Sequence, residues 1–231
     1  RILQVGSLSE YIQGEDDEVV DLTGKTVMPG LINSHVHIVM EPVGDPNSIL
    51  INESPYKTVL RGANNLKKHL YSGTTFFRDL GGYDYIDLVL RDAVNEGLIE
   101  GAEFLASGKV VTMTGGHGWI MGREADGVEE TRKAAREQLK AGADVIKIMA
   151  TGGVMTKGVE PGSPQLSMEE MKAAVDEAHK AGKLTATHAQ GTTGIKNAVL
   201  AGIDSVEHGI FLDDEVIQMM LDKGTYLVPT L

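Results

Sequence analysis

The sequence of 231 residues contains no cysteine, and this absence limits the chemistry open to the chain. Without thiols there are no disulfides, no thiolate metal ligands and no cysteine nucleophile, although the redox compartment stays open. Positive charge is also scarce, since 21 lysines and arginines face 33 aspartates and glutamates, for a formal net charge of −12. Such a polyanion gains nothing from a phosphate backbone or an anionic membrane surface, so neither nucleic acid nor membrane is an expected partner.

Long apolar runs are missing as well. No stretch approaches the length of a transmembrane helix, and the first residues lack the pattern of a signal peptide. We therefore expect a cytoplasmic protein with a small-molecule substrate, and self-association into a homo-oligomer is left open. The chain starts at Arg1 without an initiator methionine and stops after a strand-like run, so we expect it to be a fragment. Apolar residues make up 42% of it, which is enough for a buried core and argues against disorder.

A strand–helix rhythm runs through most of the chain. Residues 1–28 differ, because short β-prone pieces alternate there with acidic turns, and they predict part of a small β domain. In residues 29–231 the helical patterns include 56–71, 129–141, 167–181 and 213–223. Seven short apolar runs predict strands, at 31–35, 74–77, 104–106, 145–148, 184–187, 205–207 and 226–228. This alternation is typical of parallel strands joined by right-handed helical crossovers.

The strand count leaves two α/β architectures open. Seven strands are one short of a closed (β/α)8 barrel, and we expect a TIM-type barrel that is incomplete at its C-terminal end. An open doubly wound sheet would show the same alternation. However, no Gly-x-Gly-x-x-Gly motif follows the first strand, so a dinucleotide-binding fold has no positive support.

Four of the seven histidines lie at the ends of predicted strands. His35 and His37 are two residues apart on a strand, so both imidazoles point to one face. His188 and His208 each end a later strand. The carboxyl ends of parallel strands in a barrel share one rim, where active sites are assembled, and neutral imidazoles are good ligands for divalent metals. A structural role is reasonable for one of these histidines but not for all four.

Lys147 lies inside the apolar strand at 145–148, where an ammonium is costly unless it is paired or chemically used. Three interpretations compete: an ion pair with a carboxylate such as Glu207, a Schiff-base lysine with a lowered pKa, or a carbamate formed with carbon dioxide. An ammonium has no lone pair and cannot bind a metal, whereas a carbamate can bridge two ions. The four histidines on the same rim favour the carbamate.

The order His-x-His, Lys, His, His on successive strands resembles the binuclear metal-dependent amidohydrolases. The stretches DVIKIMATGG at 144–153, THA at 187–189 and VEHG at 206–209 are similar to its imidazolonepropionase-related branch, which includes Xaa-Pro dipeptidases and metal-dependent carboxypeptidases. VMPGLI at 27–32 and RDLGG at 78–82 resemble the same branch. The likeness extends from about residue 19 to 231.

This resemblance implies a role for each of these residues. His35 and His37 would bind the more buried of two divalent metal ions, expected to be zinc, and His188 and His208 the more exposed one. Carbamylated Lys147 would bridge them, and His117 would contact the substrate carbonyl. The implied reaction is hydrolysis of an amide C–N bond in a dipeptide or an N-acyl amino acid by metal-bound hydroxide.

The chain departs from the family pattern in two places. The family has an aspartate at the end of strand eight, and no strand is predicted after the seventh in this sequence. Asp79 and Asp204 are expected to be structural, so either this aspartate lies beyond the fragment or the polypeptide cannot complete catalysis. Gln190 stands where some relatives carry Tyr or His to hold the substrate. A cyclic amide hydrolase or deaminase of the same superfamily, a Schiff-base aldolase using Lys147, and a relative without activity remain alternatives.

Overall fold

The computed structural model describes residues 2–156 and 158–230. Its named strands all pair in parallel, as the sequence predicts for an α/β protein. The strands are β1 (Leu31–Val36), β2 (Thr74–Asp79), β3 (Glu103–Ala106), β4 (Val110–Thr112), β5 (Gly122–Glu124), β6 (Val145–Met149), β7 (Leu184–Ala189), β8 (Ser205–His208) and β9 (Tyr226–Val228). All seven predicted strands are therefore confirmed, and the three-residue strands β4 and β5 are additional.

Helices follow most of these strands, and the four predicted helices end within one residue of the predicted positions. The α-helices are α1 (Pro46–Asn52), α2 (Pro55–Tyr71), α3 (Ile86–Asn95), α4 (Val128–Ala141), α5 (Met168–Lys180), α6 (Thr192–Ala201) and α7 (Asp214–Lys223). Of these, α1, α3 and α6 are additional to the predicted helices. Ser167 and Glu170 form a reciprocal capping box at the start of α5. Gly142 ends α4 with φ 95°, a left-handed conformation that strongly favours glycine. No described helix has the length and apolar character required to cross a bilayer.

The described strands form two separate parallel sheets, whereas the sequence predicts one TIM-type barrel that is incomplete at its C-terminal end. One sheet has the order β1-β2-β3, and the other has the order β5-β4-β6-β7-β8-β9. The break falls between β3 and β4, where two backbone amides donate hydrogen bonds to side chains instead of to a neighbouring strand. The Gly108 amide donates to Asp87 Oδ2, and the Lys109 amide donates to Gln138 Oε1. These side chains satisfy the backbone without a strand ladder, so the hydrogen-bonded sheet is interrupted.

The small β unit expected in the first 28 residues is also not observed. Within residues 2–30 the structure has a short 3-10 helix, Leu8–Glu10, and no strand. Apolar side chains such as Val5, Ile12 and Val19 are largely exposed there. β-Prone residues form a strand only when a neighbouring strand pairs with them, and no such partner is present in the described residues.

Two apolar clusters support the two sheets. The first packs α4, α5 and α6 on the six-stranded sheet. The second surrounds β1, β2 and β3, where the rings of Phe77 and Phe104 stack with centroids 4.5 Å apart. Each fully buried side chain of this size contributes about 1.5–3 kcal/mol. Both cores lie behind the strands and leave the carboxyl ends of the strands free to carry polar groups.

Candidate metal centre

His35 and His37 project from the end of β1 with their rings almost perpendicular, at 80° and with centroids 5.2 Å apart. Their Nε2 atoms are 3.4 Å apart. Two nitrogens bound at about 2.0–2.1 Å by one tetrahedral zinc ion lie about 3.3–3.4 Å apart. The separation of the two Nε2 atoms therefore matches one edge of a tetrahedral zinc site.

The hydrogen bonds on the far side of each ring fix where the protons lie. His35 Nδ1 is 2.9 Å from Glu207 Oε2, and His37 Nδ1 is 3.4 Å from the Gly81 carbonyl oxygen. A carboxylate and a carbonyl can only accept, so both Nδ1 atoms carry the proton of the neutral ring. Burial lowers the pKa of His35 to about 2 and that of His37 well below its usual value, and the charge on Lys147 adds to both effects. Two Nε2 lone pairs consequently face each other, an arrangement that a cation would stabilise.

His208 presents its ring to the same place through an unusual backbone conformation. Alternation along β8 would direct Glu207 and His208 to opposite faces, and Glu207 is the residue buried inside. His208 has φ 75°, which is strained for a residue other than glycine. Its ring centroid lies 5.2 Å from that of His35 and 4.6 Å from that of His188. The left-handed conformation at His208 thus directs its imidazole to the same rim as His35 and His188.

The tautomer of His208 follows from its contact with Thr230. His208 Nδ1 is 2.7 Å from Thr230 Oγ1, and this hydroxyl donates its proton to the Pro229 carbonyl at 2.6 Å. Thr230 Oγ1 therefore accepts from His208 Nδ1–H, which leaves the lone pair on Nε2. The pKa of His208 falls to about 4, mainly through burial. Three imidazoles at this rim are thus neutral and carry their free lone pair on Nε2.

His188 is the penultimate residue of β7, and it is nearly inaccessible. Its Nε2 atom is buried without a hydrogen-bond partner among the described residues. An unpaired polar nitrogen in the interior costs about 1–3 kcal/mol unless another group binds it. Burial, together with the charges of His117 and Lys147, lowers the pKa of His188 well below its usual value. A buried ring nitrogen without a hydrogen-bond partner is suited to binding a metal ion, as are the facing Nε2 atoms of His35 and His37.

Lys147 is 1% exposed and lies on β6 among these histidines. Burial lowers the pKa of its amine to about 8, against the opposing charges of Glu207 and Asp79. No carboxylate of the described residues forms an ion pair with it, although Glu207 was one expected partner. Glu207 instead pairs with His35 and Arg78. A buried amine with no counter-ion and a lowered pKa is suited to a chemical role.

His117 lies on the loop after β4, and its ring centroid is 4.0 Å from that of His188. Its Nδ1 is 2.8 Å from the Thr156 hydroxyl, and its amide donates to Gln165 Oε1. Burial lowers its pKa to about 4. A Cβ atom on Gly153 would lie 2.4 Å from the His117 ring, so this close approach requires glycine. The loop glycines therefore allow His117 to reach the cluster.

Glu207 is the residue of this site whose role was not recognised in the sequence. Its carboxylate is fully buried and accepts from His35 Nδ1, Arg78 and Ser205. Arg78 Nε also donates to the Ser34 carbonyl, 2.8 Å away. The available signal was the carboxylate in VEHG next to a histidine, but its partners His35 and Arg78 lie on other strands.

The other polar residues singled out in the sequence have structural contacts. Asp79 accepts from the amides of Ile38 and Gly81, as expected for a loop partner, and it does not pair with Arg78. Asp204 accepts from the Thr185 amide at the opposite end of the strands and from His179. His69 lies on α2, and its ring packs against that of Phe77 on β2.

One cavity of about 210 Å³ is lined by all six residues selected from the sequence, together with Gln190. The six are His35, His37, His117, Lys147, His188 and His208. Within residues 2–156 and 158–230, however, no three His, Asp or Glu side chains are already arranged as a complete metal site. The structure provides imidazole pairs with a lysine amine among them, so a further anionic ligand is required to complete a centre.

The chain belongs to the amidohydrolase family, whose sequence model matches residues 26–231. The ochratoxinase of Aspergillus niger is 35% identical to it, over 88% of this chain and 47% of the ochratoxinase. The chain thus spans about half the length of the curated relatives it matches.

Two crystal structures are similar in both fold and sequence. A Xaa-Pro dipeptidase with bound methionine in its active site has a TM-score of 0.86 and 34% identity, covering 95% of this chain and 58% of that one. A prolidase complexed with N-methylphosphonate-L-proline has a TM-score of 0.88 and 33% identity, covering 95% of this chain and 57% of that one.

Proposed function

We propose that this chain forms the metal-binding part of a hydrolase that cleaves an amide C–N bond at a binuclear centre. The observation that carries the proposal is the convergence of Nε2 lone pairs from His35, His37 and His208 beside the unpartnered Nε2 of His188. Imidazole donors of this kind favour zinc or a similar divalent ion. His35 and His37 would hold one ion, and His188 and His208 the other.

Lys147 would supply the missing anionic ligand as a carbamate. A neutral lysine amine attacks carbon dioxide, an N–C bond forms and one proton is released, which leaves a carboxylate on the nitrogen. Burial lowers the pKa of Lys147 to about 8, so a sizeable fraction of the amine is neutral near physiological pH. The change also replaces an unpaired cation with an anion that two metal ions would neutralise.

The reaction class follows from what such a centre supplies. Two bound divalent ions lower the pKa of water and polarise a carbonyl group. The ring of His117, next to His188, would donate a hydrogen bond to the carbonyl oxygen of the substrate. Glu207 would keep His35 oriented throughout. The relatives whose names include Xaa-Pro dipeptidase and prolidase support a dipeptide or an N-acyl amino acid as substrate.

The two sheets are proposed to be sectors of one barrel. Arg78 on β2 and His35 on β1 both bind Glu207 on β8, so the inner faces of the two sheets meet at this carboxylate. This contact brings the carboxyl ends of the strands to one rim, as barrel active sites require.

The proposal is tested by metal content and by native mass. We expect two zinc ions per chain after reconstitution in bicarbonate, and an added mass of one carboxyl group on Lys147. A protein with no bound metal and an unmodified, reactive Lys147 would contradict the proposal. Borohydride trapping of a carbonyl compound on Lys147 would instead indicate a Schiff-base lyase. A mononuclear deaminase would bind one ion and leave Lys147 unmodified.

A further inference from the structure

A second cavity opens directly outside the metal centre. It has a volume of about 630 Å³ and shares six lining residues with the inner cavity. The shared residues are Asn47, Trp119, Ile120, Val154, Met155 and Thr156. The two cavities are therefore adjacent, and these side chains form their common boundary.

One part of the wall of this outer cavity is apolar and exposed, whereas Asn47, Ser48, Asn52 and Thr156 line other parts with polar groups. Trp119 is 51% exposed, Val154 78% and Ile51 58%. Large apolar side chains gathered in a concavity, rather than scattered over a surface, mark a site that binds an apolar group. Their position beside a catalytic cleft indicates that this group belongs to the substrate.

Specific contacts hold these side chains in place. Trp119 begins a 3-10 turn that is closed by a bond from the Met121 amide to the Gly118 carbonyl. Thr156 anchors the opposite loop, because its hydroxyl binds His117 and accepts from the Gly153 amide. Part of the outer cavity is thus formed by the residues that position His117, which places the cavity beside the proposed site of reaction.

Charge distinguishes among the groups that could enter. Among the described residues lining the outer cavity, Asp45 carries the one charged side chain. It is exposed and caps α1 by accepting from the Ser48 amide. An anionic group in this cavity would meet a carboxylate and no described cation, in a chain of net charge −12. An uncharged apolar group meets no such penalty.

We propose that the outer cavity is a specificity subsite for an uncharged apolar side chain next to the scissile amide, and that it disfavours an anionic one. This inference rests on the proposed amide hydrolase function. The substrates that fit are amides of branched aliphatic or aromatic amino acids, with any carboxylate placed elsewhere.

The chain contains its own reporter for this test, because Trp119 is its sole tryptophan. We would titrate the protein with the N-acetyl amides of leucine, alanine and glutamate and follow tryptophan emission. The leucine compound is expected to shift the emission to shorter wavelength and to bind about tenfold more tightly than the alanine compound, since it buries additional methylene groups. The glutamate compound should bind more weakly than alanine. Equal affinity for all three compounds would overturn the proposal.

Two variants keep the reporter and change the cavity. Val154→Asp places a carboxylate in the apolar wall and should weaken leucine binding about tenfold. Val89→Asp alters another exposed valine, on α3 and outside both cavities, and should leave binding unchanged. Asp45→Asn keeps the helix cap while removing the charge, so binding of the glutamate compound should improve severalfold at low salt. No effect of Val154→Asp on leucine binding would also overturn the proposal.

Failure of the subsite and failure of the proposed function are separable. Metal content and the mass of Lys147 are measured on the same samples, and the titrations are repeated after chelation. A preference for leucine that persists without metal supports the subsite whatever the metal analysis gives. A zinc-loaded, carbamylated protein with no preference among the three compounds keeps the hydrolase and rejects the subsite.

Discussion

His35 Nδ1 lies 2.9 Å from Glu207 Oε2, and this bond joins a candidate metal ligand to a carboxylate that has no exposed surface. Arg78 neutralises the same carboxylate from the other side at 2.8 Å. A histidine whose far nitrogen donates to a carboxylate is held in one tautomer and is a more basic metal ligand. We therefore propose that Glu207 is a positioning residue that acts through His35.

Replacing Glu207 with Gln should weaken zinc binding by about 10- to 100-fold, the usual effect of losing such an outer partner. A chromophoric chelator in competition measures the zinc affinity, and ¹⁵N NMR of the histidine side chains reports the tautomer of His35. The control is Asp204→Asn, which alters another histidine–carboxylate contact, of 2.8 Å with His179, away from the centre. Unchanged zinc affinity and an unchanged His35 tautomer in the Gln variant would refute the role of Glu207.

Replacing His188 with Ala should reduce the metal content from two ions per chain to one. The reason is that His188 contributes a buried Nε2 with no other partner among the described residues. Metal analysis of the purified variant checks this, with His179→Ala as the control on the partly exposed surface of α5. Two ions retained in the His188 variant would favour a site that does not use this residue.

Much of this centre follows from local rules that the sequence displays. The two-residue spacing of His35 and His37 places them on one face, and parallel strands align the ends that carry His188 and His208. The capping box at Ser167 and the glycine at 142 likewise define helix ends without any tertiary information. These features depend on neighbours in the chain, so their patterns are visible in the sequence.

The features that were missed depend on distant partners. Glu207 and His35 are separated by 172 positions, and their contact requires the two sheets to face each other. The left-handed turn at His208 has no glycine to signal it. The break between β3 and β4 depends on Asp87 and Gln138, which reach the backbone from α3 and α4. The strands expected before residue 29 have no pairing strand among the described residues.

Lys147→Met should stabilise the metal-free protein while it abolishes the binuclear centre. The burial that lowers the pKa of the amine from 10.5 to about 8 costs up to about 3 kcal/mol at neutral pH, and methionine avoids this cost. Urea unfolding after chelation in bicarbonate-free buffer gives the free energy of unfolding. A variant less stable than the parent would show that Lys147 is paired in the folded state.

The pH dependence of the same two proteins gives an independent check. The folded-state pKa of Lys147 is below the unfolded value, so the unfolded chain holds more protons between pH 8 and 10.5. The free energy of unfolding of the parent should therefore rise with pH across this window relative to that of Lys147→Met. Parallel curves for the two proteins would mean that the amine titrates normally.

His117→Gln should make the metal-free protein more resistant to acid. Burial lowers the pKa of His117 from 6.5 to about 4, so the unfolded chain takes up this proton first as the pH falls. The stability that depends on neutral His117 is present above pH 6.5 and is lost as the pH approaches 4, by up to about 3 kcal/mol. Glutamine can still bind Thr156 and does not titrate. Urea unfolding at pH 8 gives the difference in the free energy of unfolding between the two proteins when the His117 ring is neutral in both the folded and the unfolded chain. The free energy of unfolding of the variant should rise relative to that of the parent at pH 5, and further at pH 4. A difference that stays constant with pH would contradict a buried neutral ring at this position.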